Sequence, residues 1–285
     1  MPLTSTSSIL EQARALGVGA GAFNVIPLEL AEAIVTGAAE AGIPVILQLS
    51  ENTVAYHGAL APIASATLAS ARAAAVPVSV HLDHATSPAL VREAVELGVR
   101  SVMFDASALG YAENLRLTAE VVEACHRAGA WVEAELGEVG GKDGVHAPGA
   151  RTNPGEAAAY VVATGVDALA VAVGTSHAME TRAAVLDYGL IAELRAAVPV
   201  PLVLHGSSGV SDSGLRAAVR AGITKVNIAT HLNRTFTSTV RERLAASTSS
   251  DPRTYLGPAR SATAAEVARL LRVLRLLDER GPDQA

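Results

Sequence analysis

Three apolar runs in this chain each end in a histidine, and a carboxylate stands beside the first of them. Val78-Ser79-Val80-His81-Leu82-Asp83-His84 leads into Ala85-Thr86-Ser87-Pro88, Ala168 to Val173 leads into Gly174-Thr175-Ser176-His177, and Leu202-Val203-Leu204 leads into His205-Gly206. A satisfied polar cluster at a strand end is the bland explanation for any one of these sites. Imidazoles at the ends of three separate strands are what a catalytic zinc takes, with a fourth position left open. His84, His177 and His205 are therefore the candidate metal ligands, and such a centre can polarise a carbonyl. Strand residues alternate faces, so His81 and Asp83 share one face and Leu82 takes the other. The three polar groups are thus not expected to serve one purpose, and His81 reads as a supporting or core residue. His57 and His231 are weaker candidates, and His126 and His146 read as solvated helix and loop residues.

The rest of the chain reads as the scaffold for that point. Strand-like runs at Gly21–Val25, Val45–Leu49, Val78–Asp83, Ser101–Asp105, Trp131–Leu136, Ala168–Val173, Leu202–Leu204 and Lys225–Ala229 alternate with helical patterns. The helices are predicted over Leu28–Ala41, Leu60–Ala75, Pro88–Leu97, Ala112–Ala128, Pro154–Thr164, Tyr188–Ala197, Asp212–Ala221 and His231–Ala245, with a loop holding Tyr56 and His57 after the second strand. Ser7 or Ser8 could cap a leading helix through Leu16 that closes the barrel floor, and a last helix over about 262–279 should dock on the barrel or a partner. Glycines between a helix and the next strand, as in Ala41-Gly42-Ile43 and Thr164-Gly165-Val166, fit a left-handed residue just past a helix end. Strict alternation favours a (β/α)8 TIM barrel over an open doubly wound sheet. The expected domain is one unit over residues 1–285, with a helical extension at about 251–281.

Composition narrows the function. Hydrophobic residues are 50% and aromatics only 3%, so the core must come from Ala, Val, Leu and Ile. A net charge of −6 argues against a nucleic-acid partner, whose affinity comes from clustered Lys and Arg. No apolar run approaches the ~20 residues that span a bilayer, and the N-terminus has no basic region followed by an apolar core, so a soluble, cytoplasmic protein is expected. Cys125 is the only cysteine and reads as an inert buried thiol.

Barrel enzymes place their sites at the C-terminal strand ends, where the sequence puts Asn24, Asp83, His84, Asp105, Glu135, His177, His205, Asn227 and Thr230. Gly206-Ser207-Ser208-Gly209, followed by a helix, and Asn227-Ile228-Ala229-Thr230 fall in loops seven and eight, the usual phosphate cradle of this architecture. A phosphate site beside a zinc points to a phosphorylated hydroxyketone. The two lysines are Lys142, in an irregular segment, and Lys225, read as the start of strand eight and so at the opposite end from the site. A Schiff-base mechanism needs a desolvated lysine at the top, which leaves carbanion chemistry to the metal.

These motifs resemble the class II, zinc-dependent ketose-bisphosphate aldolases, which include the fructose- and tagatose-bisphosphate enzymes. The resemblance runs through Gly21-Ala22-Phe23-Asn24, His81-Leu82-Asp83-His84, Ser101-Val102-Met103-Phe104-Asp105, Val132-Glu133-Ala134-Glu135-Leu136-Gly137, Gly140-Gly141, Gly174-Thr175-Ser176-His177, His205-Gly206-Ser207-Ser208-Gly209, Val226-Asn227-Ile228-Ala229-Thr230 and Asp251-Pro252-Arg253. It implies one catalytic zinc per subunit on His84, His177 and His205, with a monovalent cation as a possible companion. It also implies that Asp83 exchanges the C4 hydroxyl proton. Asn24, Gly206, Ser207, Ser208, Asn227, Ile228, Ala229 and Thr230 would bind substrate, and Arg253 would face the distal phosphate, in a homodimer or homotetramer. Asp105 and Glu135 match acids that accompany an alternative metal position. The implied setting is carbohydrate metabolism of the glycolytic kind.

Three departures stand out. Ala178 follows His177 where the family has glycine beside the phosphate, and Met179 to Val185 lacks the family's aromatic and lysine, leaving Arg182 as a substitute cation. After Gly140-Gly141 the family offers a glutamate for the C1 proton; here Lys142-Asp143 stand there, and Asp143 is the nearest candidate. The rival readings are an aldolase for a deoxy- or other sugar phosphate, a non-catalytic barrel subunit, and a zinc hydrolase.

Overall fold

The computed structural model describes residues 2–136, 151–175 and 184–277. Its strands are β1 (Ala20–Asn24), β2 (Val45–Ser50), β3 (Val78–Ala85), β4 (Ser101–Phe104), β5 (Trp131–Glu135), β6 (Ala168–Ala170), β7 (Leu202–Leu204) and β8 (Ile223–Ile228), all parallel and closed in sequence order into a barrel. The helices are α1 (Thr6–Ala15), α2 (Leu28–Ala41), α3 (Glu51–His57), α4 (Leu60–Ala73), α5 (Pro88–Glu96), α6 (Tyr111–Arg127), α7 (Pro154–Thr164), α8 (Tyr188–Ala197), α9 (Asp212–Ala221), α10 (Thr230–Ala246) and α11 (Arg253–Leu274). This is the expected (β/α)8 barrel with an added helix at each end.

The local signals explain the element ends. Ser5 caps α1 by accepting from the Ser8 N–H at 3.1 Å, ahead of the Ser7 or Ser8 cap expected. Gly42 and Gly165 adopt φ of 66° and 70° just past α2 and α7, a left-handed turn that a side chain would penalise. Asn153 caps α7 through its side-chain oxygen, with Pro154 in the first turn. β6 is shorter than predicted because Ala172 leaves the ladder and pairs with Thr152, whose Oγ1 accepts from the Ala172 N–H at 2.8 Å.

Two elements differ from the sequence reading. The segment expected as a loop holding Tyr56 and His57 is helix α3, capped by Ser50, which accepts from the Thr53 N–H at 3.2 Å, and ended by Gly58 at φ 77°. The last helix begins at Arg253, earlier than about 262, and carries Pro258 inside it. It packs against α2 and α10, and α2 admits it through Gly37, where an added Cβ would lie 2.2 Å from the Ala264 carbonyl oxygen.

The floor of the barrel is apolar and small. Ile9, Leu10 and Ala13 of α1 seal it against Ala20, Ala22 and Ile46. Each such fully buried Leu or Ile contributes about 1.5–3 kcal/mol. Ala168 and Ala170 of β6 keep the middle layer narrow on one side. The volume these alanines leave is filled by long polar side chains at the same level: His81, Glu133 and Lys225 are all 0% exposed.

Candidate active site

The top of the barrel opens into a cavity of about 810 Å³ lined by the ends of β1, β2, β3, β7 and β8 and the loops that follow them. That is the size range of a small-molecule site. Of the residues named from the sequence, Asn24, Asp83, His84, Asp105, His205, Gly206, Ser207, Ser208, Asn227, Ala229 and Thr230 line it. His177 and Ala178 fall in 176–183, and Asp143 with Lys142 in 137–150, outside the described residues. Glu135 is buried beside the cavity, with one carboxylate oxygen 3.9 Å from His84 Nδ1. Ile228 is 2% exposed in β8 and packs in the core, while Arg253 lies outside the cavity with its side chain 89% exposed and paired with Asp251.

Alternation alone would send Asp83 and His84 to opposite faces. Both reach the cavity because His84 adopts a left-handed φ of 50° and the β3–β4 pairing slips by one residue between Leu82 and Ala85. Histidine tolerates that conformation better than most residues, but it is still sparsely populated. The polar groups of His81-Leu82-Asp83-His84 thus serve different purposes, with Asp83 and His84 both at the cavity. His81 alone stays below, fully buried, with Nδ1 2.7 Å from Ser101 Oγ.

His84 Nε2 and His205 Nδ1 approach to 2.9 Å across the cavity floor. Their other nitrogens meet carboxylates: His84 Nδ1 lies 2.8 Å from Asp105 Oδ2, and His205 Nε2 lies 3.1 Å from Glu133 Oε1. A carboxylate only accepts, so the outer nitrogens carry protons, and once a cation takes the place of the proton on His84 Nε2 the inner pair presents two lone pairs to one point. Such a pair suits a cation, and outer-shell carboxylates on metal-bound imidazoles are the usual support. The surrounding charge agrees. Burial alone would lower the His84 pKa, yet Asp83, Asp105 and Glu135 push it up to about 10. Burial would likewise raise Asp105, but His84 and the Ser107 hydroxyl and N–H hold it well below the usual carboxylate range. Donor atoms of Asp83, His84 and His205 lie within 4.8 Å of one another, and so do those of His84, Asp105 and Glu135. The residues present therefore fit a divalent metal.

On the other wall, Asn227 Nδ2 donates to Asp83 Oδ1 at 3.3 Å and lies over the His205 ring. Gly206 turns at φ 67° into the short 3-10 segment Ser207–Gly209, and the N-terminus of α10 begins at Thr230 beside it. Ser207 Oγ donates to the Asn227 carbonyl and Ser208 Oγ accepts from the His231 N–H at 3.3 Å, so loops seven and eight are tied into one cradle.

The structure adds residues that the sequence reading passed over. Ser50 at the end of β2 and Glu51, Asn52 and Thr53 in the first turn of α3, together with Thr86, also line the cavity, and Glu51 Oε2 accepts from the Thr86 N–H at 2.7 Å. Their position at a C-terminal strand end was the available signal. Lys225 needs correction. It sits three residues into β8 inside the barrel, its Nζ 2.7 Å from Glu133 Oε2, and not at the far end. Of the other histidines, His57 Nε2 lies 2.9 Å from the Ile26 carbonyl oxygen, His231 pairs with Glu266, and His126 pairs with Asp167 rather than with water alone.

Comparison with known proteins places this geometry. The family described as fructose-bisphosphate aldolase class-II matches residues 4–278. Among solved structures, the YdjI aldolase from Escherichia coli K12 is similar with a TM-score of 0.85 and 32% identity, over 95% of this chain and 97% of that one. A candidate fructose-1,6-bisphosphate aldolase from Coccidioides immitis gives 0.84 and 30%, over 94% and 95% of the two chains. The fructose-bisphosphate aldolase from Campylobacter jejuni, at 22% identity and a TM-score of 0.81 over 96% of each chain, shares the fold. With a match that leaves only the chain ends uncovered, this protein belongs to the class-II fructose-bisphosphate aldolase family and is a metal-dependent lyase of carbon–carbon bonds.

Proposed function

We propose that the enzyme reversibly cleaves the C3–C4 bond of a ketose phosphate of the fructose- or tagatose-1,6-bisphosphate type. The products are dihydroxyacetone phosphate and an aldehyde such as glyceraldehyde 3-phosphate. The observation that carries this reading is the placement of the Asp83 carboxylate, 3% exposed and held by Asn227, at the wall of the cavity that also holds His84 and His205.

Asp83 takes the proton of the C4 hydroxyl, the C4–O bond becomes a carbonyl, and the C3–C4 pair shifts onto C3, in conjugation with C2. Zinc, one ion per subunit on His84, His177 and His205, would supply Lewis-acid polarisation of the C2 carbonyl. Asp143 is the proposed donor that returns a proton to the carbon left behind. The cradle of Gly206, Ser207, Ser208 and the backbone of Asn227 to Thr230, at the start of α10, binds the phosphate of the dihydroxyacetone half through N–H and hydroxyl donors. Asn24 lines that side, and Ala178 is assigned to the same phosphate on the family resemblance. Arg253, exposed on this chain, is assigned to the distal phosphate of a neighbouring subunit in a homodimer or homotetramer. The proposed setting is cytoplasmic carbohydrate metabolism, glycolysis included.

The test is a panel of fructose, tagatose and deoxy-sugar phosphates, each assayed for released dihydroxyacetone phosphate with and without a chelator. Chelator-sensitive release from a bisphosphate is the expected result. Release from no member of the panel, with metal present, overturns the reading.

A further inference from the structure

A string of buried polar side chains crosses the barrel below the cavity. Ser101 Oγ meets His81 Nδ1 at 2.7 Å, His81 Nε2 lies 3.4 Å from Lys225 Nζ, Lys225 donates to Glu133 Oε2 at 2.7 Å, and Glu133 Oε1 accepts from His205 Nε2 at 3.1 Å. Four strands contribute one residue each and His205 follows the end of β7, and His81, Glu133 and Lys225 are 0% exposed. As mere filling this is a poor choice, because desolvating a carboxylate and an ammonium costs more than packing apolar groups of equal volume. The split of Glu133 gives the string a direction. One oxygen is held by the ammonium, and the other is aimed at the outer nitrogen of a candidate metal ligand.

We propose that Lys225 is a positioning residue for His205. By anchoring Glu133 across the barrel axis, it fixes the His205 ring in the Nε2–H tautomer and turns Nδ1 toward His84. This rests on the reading of His205 as a metal ligand. Without the ammonium, the Glu133 carboxylate loses the partner that fixes its rotamer, and His205 loses a fixed acceptor. His81 serves the same end from the other side: its Nδ1 is spent on Ser101, which leaves Nε2 to accept from Lys225 and not to compete for Glu133.

The test uses the full-length protein with zinc alone as the probe. Lys225→Met should weaken zinc binding, read by chelator competition, by about 10- to 100-fold, the range for outer-shell partners of metal-bound imidazoles. In metal-free protein the ¹⁵N shifts of His205 should move from a pure Nε2–H tautomer in the wild type to a mixture. The double variant Lys225→Met/Glu133→Leu leaves no uncompensated charge, so it should regain thermal stability while zinc affinity stays low. It carries the same readouts should the single variant fail to fold. A purely structural ion pair predicts instead that the double variant recovers affinity as well as stability. His205→Ala separates the two ideas. If that variant loses zinc while both Lys225 variants keep wild-type affinity and the wild-type tautomer, the positioning role is overturned; if His205→Ala keeps its zinc, the ligand reading itself has failed.

Discussion

His84 Nε2 and His205 Nδ1 face each other at 2.9 Å, although one comes from β3 and the other from the end of β7 on the far side of the cavity. Each outer nitrogen is tied to an acid, Asp105 for His84 and Glu133 for His205. Asp105→Asn removes the charge that orients His84 but keeps the volume. Zinc affinity should fall by about 10- to 100-fold with little change in fold, measured by chelator competition and circular dichroism. Unchanged affinity would show that the Asp105 charge contributes nothing to the metal.

Asp83→Ala should lower cleavage by about two to four powers of ten, the usual contribution of a placed acid or base, while zinc content stays near that of the wild type. Elemental analysis alongside a steady-state assay separates this from loss of a ligand. Wild-type turnover in the variant would remove Asp83 from the chemistry.

Gly37 is where α2 and α11 meet most closely, since a Cβ there would sit 2.2 Å from the Ala264 carbonyl oxygen. Gly37→Ala should therefore destabilise by about 1–3 kcal/mol, as overpacking does, despite the better helix propensity of alanine. Chemical denaturation reads this directly, and a stabilised variant would mean that α11 does not pack as described.

Glu266 bridges His231, whose N–H reaches the Ser208 hydroxyl, and Arg269, which also pairs with Asp212. Burial would raise its pKa, but Arg269 and His231 bring it down from 4.5 to about 2. A depressed carboxyl adds stability that is present above its unfolded value near 4.5 and is lost as pH falls toward 2. The thermal midpoint of Glu266→Gln should thus lie below that of the wild type at neutral pH, with the gap closing below about pH 4.5. A gap independent of pH would assign the loss to packing.

The barrel was legible in the sequence because eight short apolar runs alternate with helical patterns, and because histidines and acids gather where those runs end. What escaped notice did so for identifiable reasons. Asp83 and His84 were both legible as site residues from the strand end, but the φ of 50° and the register slip that bring them to one side were not, since these are tertiary events. Lys225 looked like the first residue of its strand, but β8 starts two residues earlier at Ile223, which moves the ammonium up into the barrel. Helix α3 was hidden by the Asn, Thr and Tyr of Glu51 to His57, yet the Ser50 cap and Gly58 were both visible. The start of α11 was masked by Gly257-Pro258, which reads as a break; packing against α2 and α10 outweighs the lost hydrogen bond.

Crystals grown with added zinc, recorded on both sides of the zinc absorption edge, test the metal site most directly when paired with an assay of the same preparation before and after chelation. The expected result is one anomalous peak between His84 Nε2 and His205 Nδ1, and release of dihydroxyacetone phosphate that disappears on chelation and returns with one equivalent of zinc. No peak at that position, together with undiminished cleavage by the chelated protein, would contradict it.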